Sequence, residues 1–307
     1  MTETAPAQYS FLAGFDGEWR DTWWNADFLA LTAQRHQFHN VQNVLDVGCG
    51  VGHWGRTLLP HLPKTAKLTG IDYEASFAEK ANGKALELGL SDRLSYRQAS
   101  ADALPFDNDT FDMATCQTVL MHLPDVPRAL AEIKRVLRPG GLFLACEPDN
   151  IAEAMALFRG SPPPPWKDLL RLIDFQHTCE LGKQALGRGD SSIGEKLPGL
   201  FTQAGFNHIS TYQNDKCAWL VPPYQSRDQA LDLQQFLSWI DAGLCLFAGN
   251  GHDDSVKLYA AGGGDPAQFE ELWQLGLTVH QGFKKAVLAG EYHGGRAVTF
   301  YMVSGRK

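Results

Sequence analysis

The chain has 307 residues, 44% hydrophobic and 20% charged, with 17 Phe and 8 Trp, a composition that fits a globular protein and excludes a disordered or fibrous one. A formal net charge of −8 disfavours tight binding to a phosphate backbone, so no nucleic-acid partner is expected. No window approaches ~18 uninterrupted apolar residues, and Arg20 is the first basic residue with no continuous apolar run before it, so neither a membrane span nor a secretory signal is expected and the cytoplasm is the expected location.

Along the chain, residues 1–40 begin irregularly and are rich in aromatics, and a helical pattern runs over 19–38 to a stop at Asn40. Residues 43–47 (NVLDV) predict a first strand, followed by a glycine-rich turn and a helix through about Leu62. Residues 66–71 predict a second strand capped by Asp72, with a helix over 76–88; strands at 93–98 and 111–119 follow, then a helix over 125–137. Pro139-Gly140-Gly141 reads as a tight turn into a fifth strand at 142–148. Strands alternating with helices at this spacing imply a doubly wound α/β domain.

After Asn150 the rhythm changes. Residues 151–195 hold a helix, four prolines at 162–165 and another helix ending before Gly187; residues 194–205 read as a helix leading into a strand at 207–213. Two longer helical patterns lie near 226–247 and 266–289, and residues 296–306 close the chain as a strand. This divides the chain into an N-terminal helical lid (1–40), a core (41–150), a helical insertion (151–195), a continuation of the core (196–222), a second helical insertion (223–295) and a last core strand (296–307). The six cysteines are widely spaced without a CxxC or CxxH pair, so buried reduced thiols are expected and no metal site.

The strongest local signal is Asp46-Val47-Gly48-Cys49-Gly50-Val51-Gly52. Glycines at a strand end let the backbone turn tightly and approach a ligand, and the following helix offers free N–H groups. Residues 50–55 also satisfy GxGxxG, with Asp72 roughly 20 residues on, the pattern of a dinucleotide site. Asp46 argues against that reading, because its carboxylate would repel a pyrophosphate but attract a cationic amino or sulfonium group.

Residues 43–150 resemble the class I S-adenosylmethionine-dependent methyltransferases, in particular the ubiquinone/menaquinone-biosynthesis-type subgroup. NVLDVGCGVGHWG, LTGIDYEASFAEKA, RQASADALPFDNDTFDMATCQTVLMHLPD and LRPGGLFLACEPD match the family's successive motifs in order and spacing. The resemblance implies a Rossmann-like, seven-stranded, mainly parallel sheet whose last strand, 297–304, runs antiparallel beside 207–213, with helical lid insertions.

The cofactor it implies is S-adenosyl-L-methionine, released as S-adenosyl-L-homocysteine. By position, Gly48, Cys49, Gly50 and Gly52 would lie along the methionine and ribose, Asp46 would hold the amino-acid end, and Asp72 would accept the ribose hydroxyls. Tyr73 would pack on the adenine, Asp102 would accept its amino group, and Ala101 and the Ala103 N–H would read the ring. Gln117 would face the methionine portion, with His53 and Trp54 nearby. His122 stands just past strand four as either a general base or a packing residue.

Methyl transfer needs little more than in-line placement, because the sulfonium already activates the methyl group. The acceptor is expected to be a small, fairly apolar metabolite, with Tyr9, Phe11, Phe15, Trp19, Trp23 and Trp24 forming a lid, an interface or an ordinary packing helix. Glu147, Asp149, Arg188 and Asp190 follow strand five as acceptor contacts, or, for the last two, as a structural ion pair. The insertion at 223–295 either enlarges the lid or forms a homodimer contact. Competing readings are an NAD-dependent oxidoreductase, a non-catalytic cofactor-binding sensor or scaffold, and a methyltransferase acting on RNA or protein.

Overall fold

The computed structural model describes residues 18–154, 158–248 and 251–307. The chain divides into two compact units. The first combines the described part of residues 1–148 with Ile193–Asp215 and Phe300–Lys307; the second comprises Asp149–Ser192 and Lys216–Thr299.

The first unit is a seven-stranded sheet. Its strands are β1 (Asn43–Val47), β2 (Lys67–Asp72), β3 (Leu94–Gln98), β4 (Phe111–Gln117), β5 (Leu137–Pro148), β6 (Asn207–Gln213) and, late in the chain, β9 (Phe300–Arg306), in the order β3-β2-β1-β4-β5-β9-β6. The first five pair in parallel, and β9 lies antiparallel between β5 and β6. The expected doubly wound sheet with an antiparallel last strand is therefore present. Every residue of β4 is buried, the signature of a central parallel strand covered on both faces.

Flanking it are helices α1 (Ala26–Arg35), α2 (His53–Leu58), α3 (Ala75–Glu87), α4 (Val126–Val136) and α7 (Leu197–Gln203). In α4, Asp125 caps the N-terminus by accepting the Arg128 N–H at 3.0 Å, and a proline sits in the first turn. Val126, Ala129, Leu130, Ile133 and Val136 form its buried stripe against the sheet. Each large side chain so covered contributes on the order of 1.5–3 kcal/mol.

The second unit holds α5 (Asn150–Ala154), α6 (Trp166–Ala185), α8 (Arg227–Asp241), α9 (His252–Ala261), α10 (Pro266–Leu288) and a two-stranded ribbon of β7 (Cys217–Leu220) and β8 (Gly294–Ala297). It has its own aromatic core around Phe158, Phe175, Phe247, Phe269, Trp273 and Phe283. Helices α6 and α9 touch backbone to backbone. A Cβ on Gly182 would stand 1.7 Å from the Leu258 carbonyl oxygen, and one on Gly262 would stand 1.9 Å from that of Thr178.

Several boundaries differ from the sequence expectations. The helix expected over 19–38 is a 3₁₀ turn (Glu18–Trp23), α1 and a second 3₁₀ turn (Phe38–Asn40), because Asn25 is extended and breaks the run. The Pro-Gly-Gly turn lies inside β5, where the pairing with β4 shifts register. The helix expected over 226–247 stops at Asp241 and α9 was not anticipated. The closing strand is two, β8 and β9, which belong to different units. Cys49, Cys116, Cys146, Cys179 and Cys245 are buried free thiols, and Cys217 is exposed. Among the described residues no helix is long and apolar enough to cross a membrane.

Candidate functional site

Strand β1 delivers Asp46 to its C-terminal end, and the chain turns through Gly48, Gly50 and Gly52 at φ of +64°, +52° and +77° before entering α2. These left-handed conformations favour glycine. Space adds a second demand: a Cβ on Gly48 would fall 2.5 Å from the Val119 side chain, and one on Gly52 would fall 2.6 Å from the Tyr96 hydroxyl. Among the described residues a Cβ on Gly50 would meet nothing within 4 Å. Gly55 lets α2 approach β1, since its Cβ would lie 3.0 Å from Asp46 Oδ2.

Carboxylates surround this loop. Asp72, at the tip of β2, accepts the Gly50 N–H on Oδ2 (2.8 Å) and the Glu74 N–H on Oδ1 (3.0 Å). Burial raises its pKa against those two hydrogen bonds. A carboxylate has about four lone-pair positions, so Asp72 retains capacity for hydroxyl donors. Asp46 is buried; its Oδ2 accepts the Gly55 N–H at 3.1 Å, while Oδ1 has no hydrogen-bond partner among the described residues. Burial pushes Asp46 up to about 7.

Gln117 ends β4. Its Oε1 accepts from Arg20 Nη2 at 3.0 Å, and its Nε2 is buried without a partner among the described residues. His53, in the first turn of α2, has Nε2 2.7 Å from Asp21 Oδ1. Thus the 3₁₀ turn holding Arg20 and Asp21 is tied to both sides of the loop mouth. Tyr73 is 40% exposed beside Asp72. Asp102 accepts a short hydrogen bond from Ser100, and Arg128 donates to its carbonyl at 3.2 Å. Ala101 is half-buried in the same turn.

Other expected site residues have different duties. Trp54 is 2% exposed; its indole N–H donates to Thr115 Oγ1 at 2.8 Å, and that hydroxyl donates to the Leu144 carbonyl at 2.8 Å. Trp54 therefore pins α2 to β4 and β5. The Ala103 N–H donates to the Ser100 carbonyl at 3.3 Å and is spent within its own turn. Cys49 points inward as a buried thiol, its pKa driven up chiefly by burial.

Glu147 is fully buried, not an acceptor contact. Oε1 accepts the Val119 and Leu120 N–H groups at 2.9 and 3.0 Å, and Oε2 accepts that of Met121 at 3.2 Å. It thereby shapes the 3₁₀ turn Leu120–His122, on which His122 is half-buried, and fixes Val119 against Gly48. Asp149 caps α5 by accepting the Ala152 N–H at 3.0 Å. Arg188 pairs with Asp254 at 2.7 Å, and Asp190 accepts the Ser192 N–H at 3.0 Å, so the expected Arg188–Asp190 pair does not form.

Trp19, Trp23 and Trp24 are buried: Trp23 lies 5.1 Å from Phe300, and Trp24 lies 5.2 Å from Trp54 and 5.5 Å from Phe300, ring centre to ring centre. Tyr9, Phe11 and Phe15 lie outside the described residues. The sequence reading missed Arg20, Asp21 and Tyr96. Arg20 and Asp21 had one available signal, a charged pair inside an otherwise aromatic segment. A cavity of about 190 Å³ among His36, Asp112, Arg138, Gly140 and Arg306 opens at the opposite end of the strands and is not this site.

A parallel α/β sheet with a glycine turn after β1, an acid at the tip of β2 and unpartnered polar atoms on Asp46 and Gln117 defines a Rossmann-like domain for a nucleoside cofactor with an amino-acid end. Residues 45–145 match the family described as a methyltransferase domain. The chain is 35% identical over 200 residues to a demethylmenaquinone methyltransferase of Lactiplantibacillus plantarum, spanning 60% of this chain and 81% of the relative. A second demethylmenaquinone methyltransferase, from Symbiobacterium thermophilum, is 28% identical over 62% of this chain and 76% of its own. The fold is shared with a methyltransferase candidate of Bacillus halodurans (TM-score 0.51, 19% identity, 91% of this chain and 98% of that one). The chain belongs to the class I S-adenosylmethionine-dependent methyltransferases of the ubiquinone/menaquinone-biosynthesis type. It is an enzyme of methyl transfer, its cofactor is S-adenosylmethionine, and the dinucleotide reading of the glycines falls away.

Proposed function

We propose that the enzyme methylates a small, fairly apolar metabolite by in-line displacement, with the acceptor meeting the cofactor at the carboxyl ends of β1 and β4. What supports this is the site at those strand ends, the glycine turn with Asp72, Asp46 and Gln117, beside which the buried cluster of Trp19, Trp23, Trp24 and Phe300 packs against Trp54 of the helix after the glycine loop. That the two relatives are demethylmenaquinone methyltransferases supports an apolar acceptor without assigning that quinone to this chain. An acidic net charge of −8 supports a metabolite over a nucleic acid.

S-adenosylmethionine supplies the activated methyl group when bound. Gly48, Gly50 and Gly52 give the close backbone approach, Asp46 meets the ammonium, Asp72 the ribose hydroxyls, Gln117 the methionine portion, and Asp102 with Tyr73 the adenine. Positioning and exclusion of water are worth up to ~7–11 kcal/mol, so no triad is required. His122 acts as the single base where the attacking atom carries a proton, its turn held in place by Glu147.

Calorimetric titration with S-adenosylmethionine, S-adenosylhomocysteine and NAD, repeated on Asp72→Ala, tests the assignment. Micromolar binding of both sulfur ligands, weakened at least about tenfold in the variant, is the expected result. Unchanged binding in Asp72→Ala would remove Asp72 from the site. An acceptor screen in which only polar or macromolecular substrates turn over would overturn the apolar-metabolite reading.

A further inference from the structure

We propose that Arg20 binds the carboxylate of the cofactor's methionine portion, completing with Asp46 and Gln117 a recognition set for an α-amino-acid zwitterion. This rests on the site reading above and extends it to a residue outside every glycine-loop motif. Strands β1 and β4 are neighbours, with Asp46 beside Thr115, so their carboxyl ends bring Asp46 and Gln117 to the same part of the mouth. Asp46 there presents a buried oxygen without a hydrogen-bond partner among the described residues, suited to an ammonium donor. Gln117 presents a buried N–H₂ without one, suited to an oxygen.

Arg20 reaches this mouth from the N-terminal 3₁₀ turn, its Nη2 donating to Gln117 Oε1 at 3.0 Å while the guanidinium lies over the Trp23 ring at 5.0 Å. Both contacts orient the planar fork, which suits a carboxylate better than a point charge does. Its field reaches Asp46, whose pKa it lowers against the dominant effect of burial. The neighbouring Asp21 holds His53, so the turn carrying Arg20 is anchored to the helix that follows the glycine loop. A negative group, an amide and a positive group in one mouth match an ammonium and a carboxylate on adjacent atoms.

The test compares two ligands on the full chain: S-adenosylhomocysteine, and its decarboxylated analogue, which keeps the thioether, nucleoside and amine. Wild type should prefer S-adenosylhomocysteine by about 10- to 100-fold. In Arg20→Met the preference should collapse to near unity because affinity for S-adenosylhomocysteine falls while that for the analogue holds. Arg20→Lys should restore part of it. Equal loss for both ligands would make Arg20 a structural residue of the N-terminal turn and overturn the proposal, as would an unchanged ratio. Should Arg20→Met fail to fold, the wild-type ratio and Arg20→Lys decide: near unity in wild type, or no change in Arg20→Lys, overturns it. Wild type that binds neither ligand would instead sink the underlying site reading.

Discussion

The two units lean on different partners for their acids. In the sheet unit Asp46, Asp72, Asp112 and Glu147 all accept backbone N–H groups, from Gly55, from Gly50 and Glu74, from Gln42 and Asn43, and from residues 119–121. In the helical unit Glu153 pairs with Arg296, Asp228 with Lys216 at 2.8 Å and Asp254 with Arg188, the last two acids partly exposed, while Asp149 accepts the Ala152 N–H at 3.0 Å. A carboxylate on main-chain donors holds loop geometry that no neighbouring side-chain swap can easily replace. A side-chain pair can be exchanged as a pair. The first arrangement suits a unit that must present fixed turns to one cofactor.

The largest predicted effect tests whether the helical unit depends more on close backbone approach than on its ion pairs. Gly182→Ala, with its new methyl 1.7 Å from a carbonyl oxygen, should cost ~4 kcal/mol or more, seen as an early urea transition that spares the sheet unit. Arg296→Met should cost ~3 kcal/mol by stranding Glu153, and Glu153→Leu in the same chain should recover most of it; no recovery would mean the pair is not exchangeable.

Glu147→Gln should cost ~2 kcal/mol, because an amide accepts on one oxygen only and turns its N–H₂ toward backbone donors. The same variant should weaken S-adenosylhomocysteine binding through Val119 and the glycine loop, readable by calorimetry.

Asp46 gives a pH signature. Its pKa is raised from 3.8 to about 7, so the stability its proton contributes is full below about pH 4 and is lost as pH rises through about 7. Cofactor binding runs the other way, because the ammonium needs the ionised form. Affinity should fall about tenfold per pH unit below 7, and Asp46→Asn should flatten the profile. The smallest effect is Arg188→Ala, about 0.5 kcal/mol in low salt and vanishing in high salt, since both partners of that bridge are more than a third exposed.

Much of the sheet unit was legible because its signals are local. β-branched runs, the glycine turn and the Asp125 cap each report a nearby backbone shape, and β6 was placed at 207–213 to the residue. The helical unit resisted because α9 has little amphipathic contrast, and because the contact of Gly182 with Leu258 joins residues far apart in the chain. Among site residues, motif position picked out Asp72 and Gly50, which the structure joins by a hydrogen bond between a strand end and a turn. It could not show that the Ala103 N–H is already used or that Glu147 faces inward, since a carboxylate after a strand reads the same whichever way it points. Arg20 stands out as half of a charged pair in an aromatic run, but nothing in that run says which strand end it covers.

The position of β9 carries a consequence for biosynthesis. It lies between β5 and β6, yet residues 216–299 precede it in the chain. During translation β5 therefore emerges with one edge unpaired, a buried apolar run from Leu142 to Pro148 open to strand addition, and stays so until β9 leaves the ribosome. The helical unit can gather its own core during that interval. At the ~5–20 residues per second of synthesis the exposed edge lasts many seconds, long enough for a chaperone or another nascent chain to reach it.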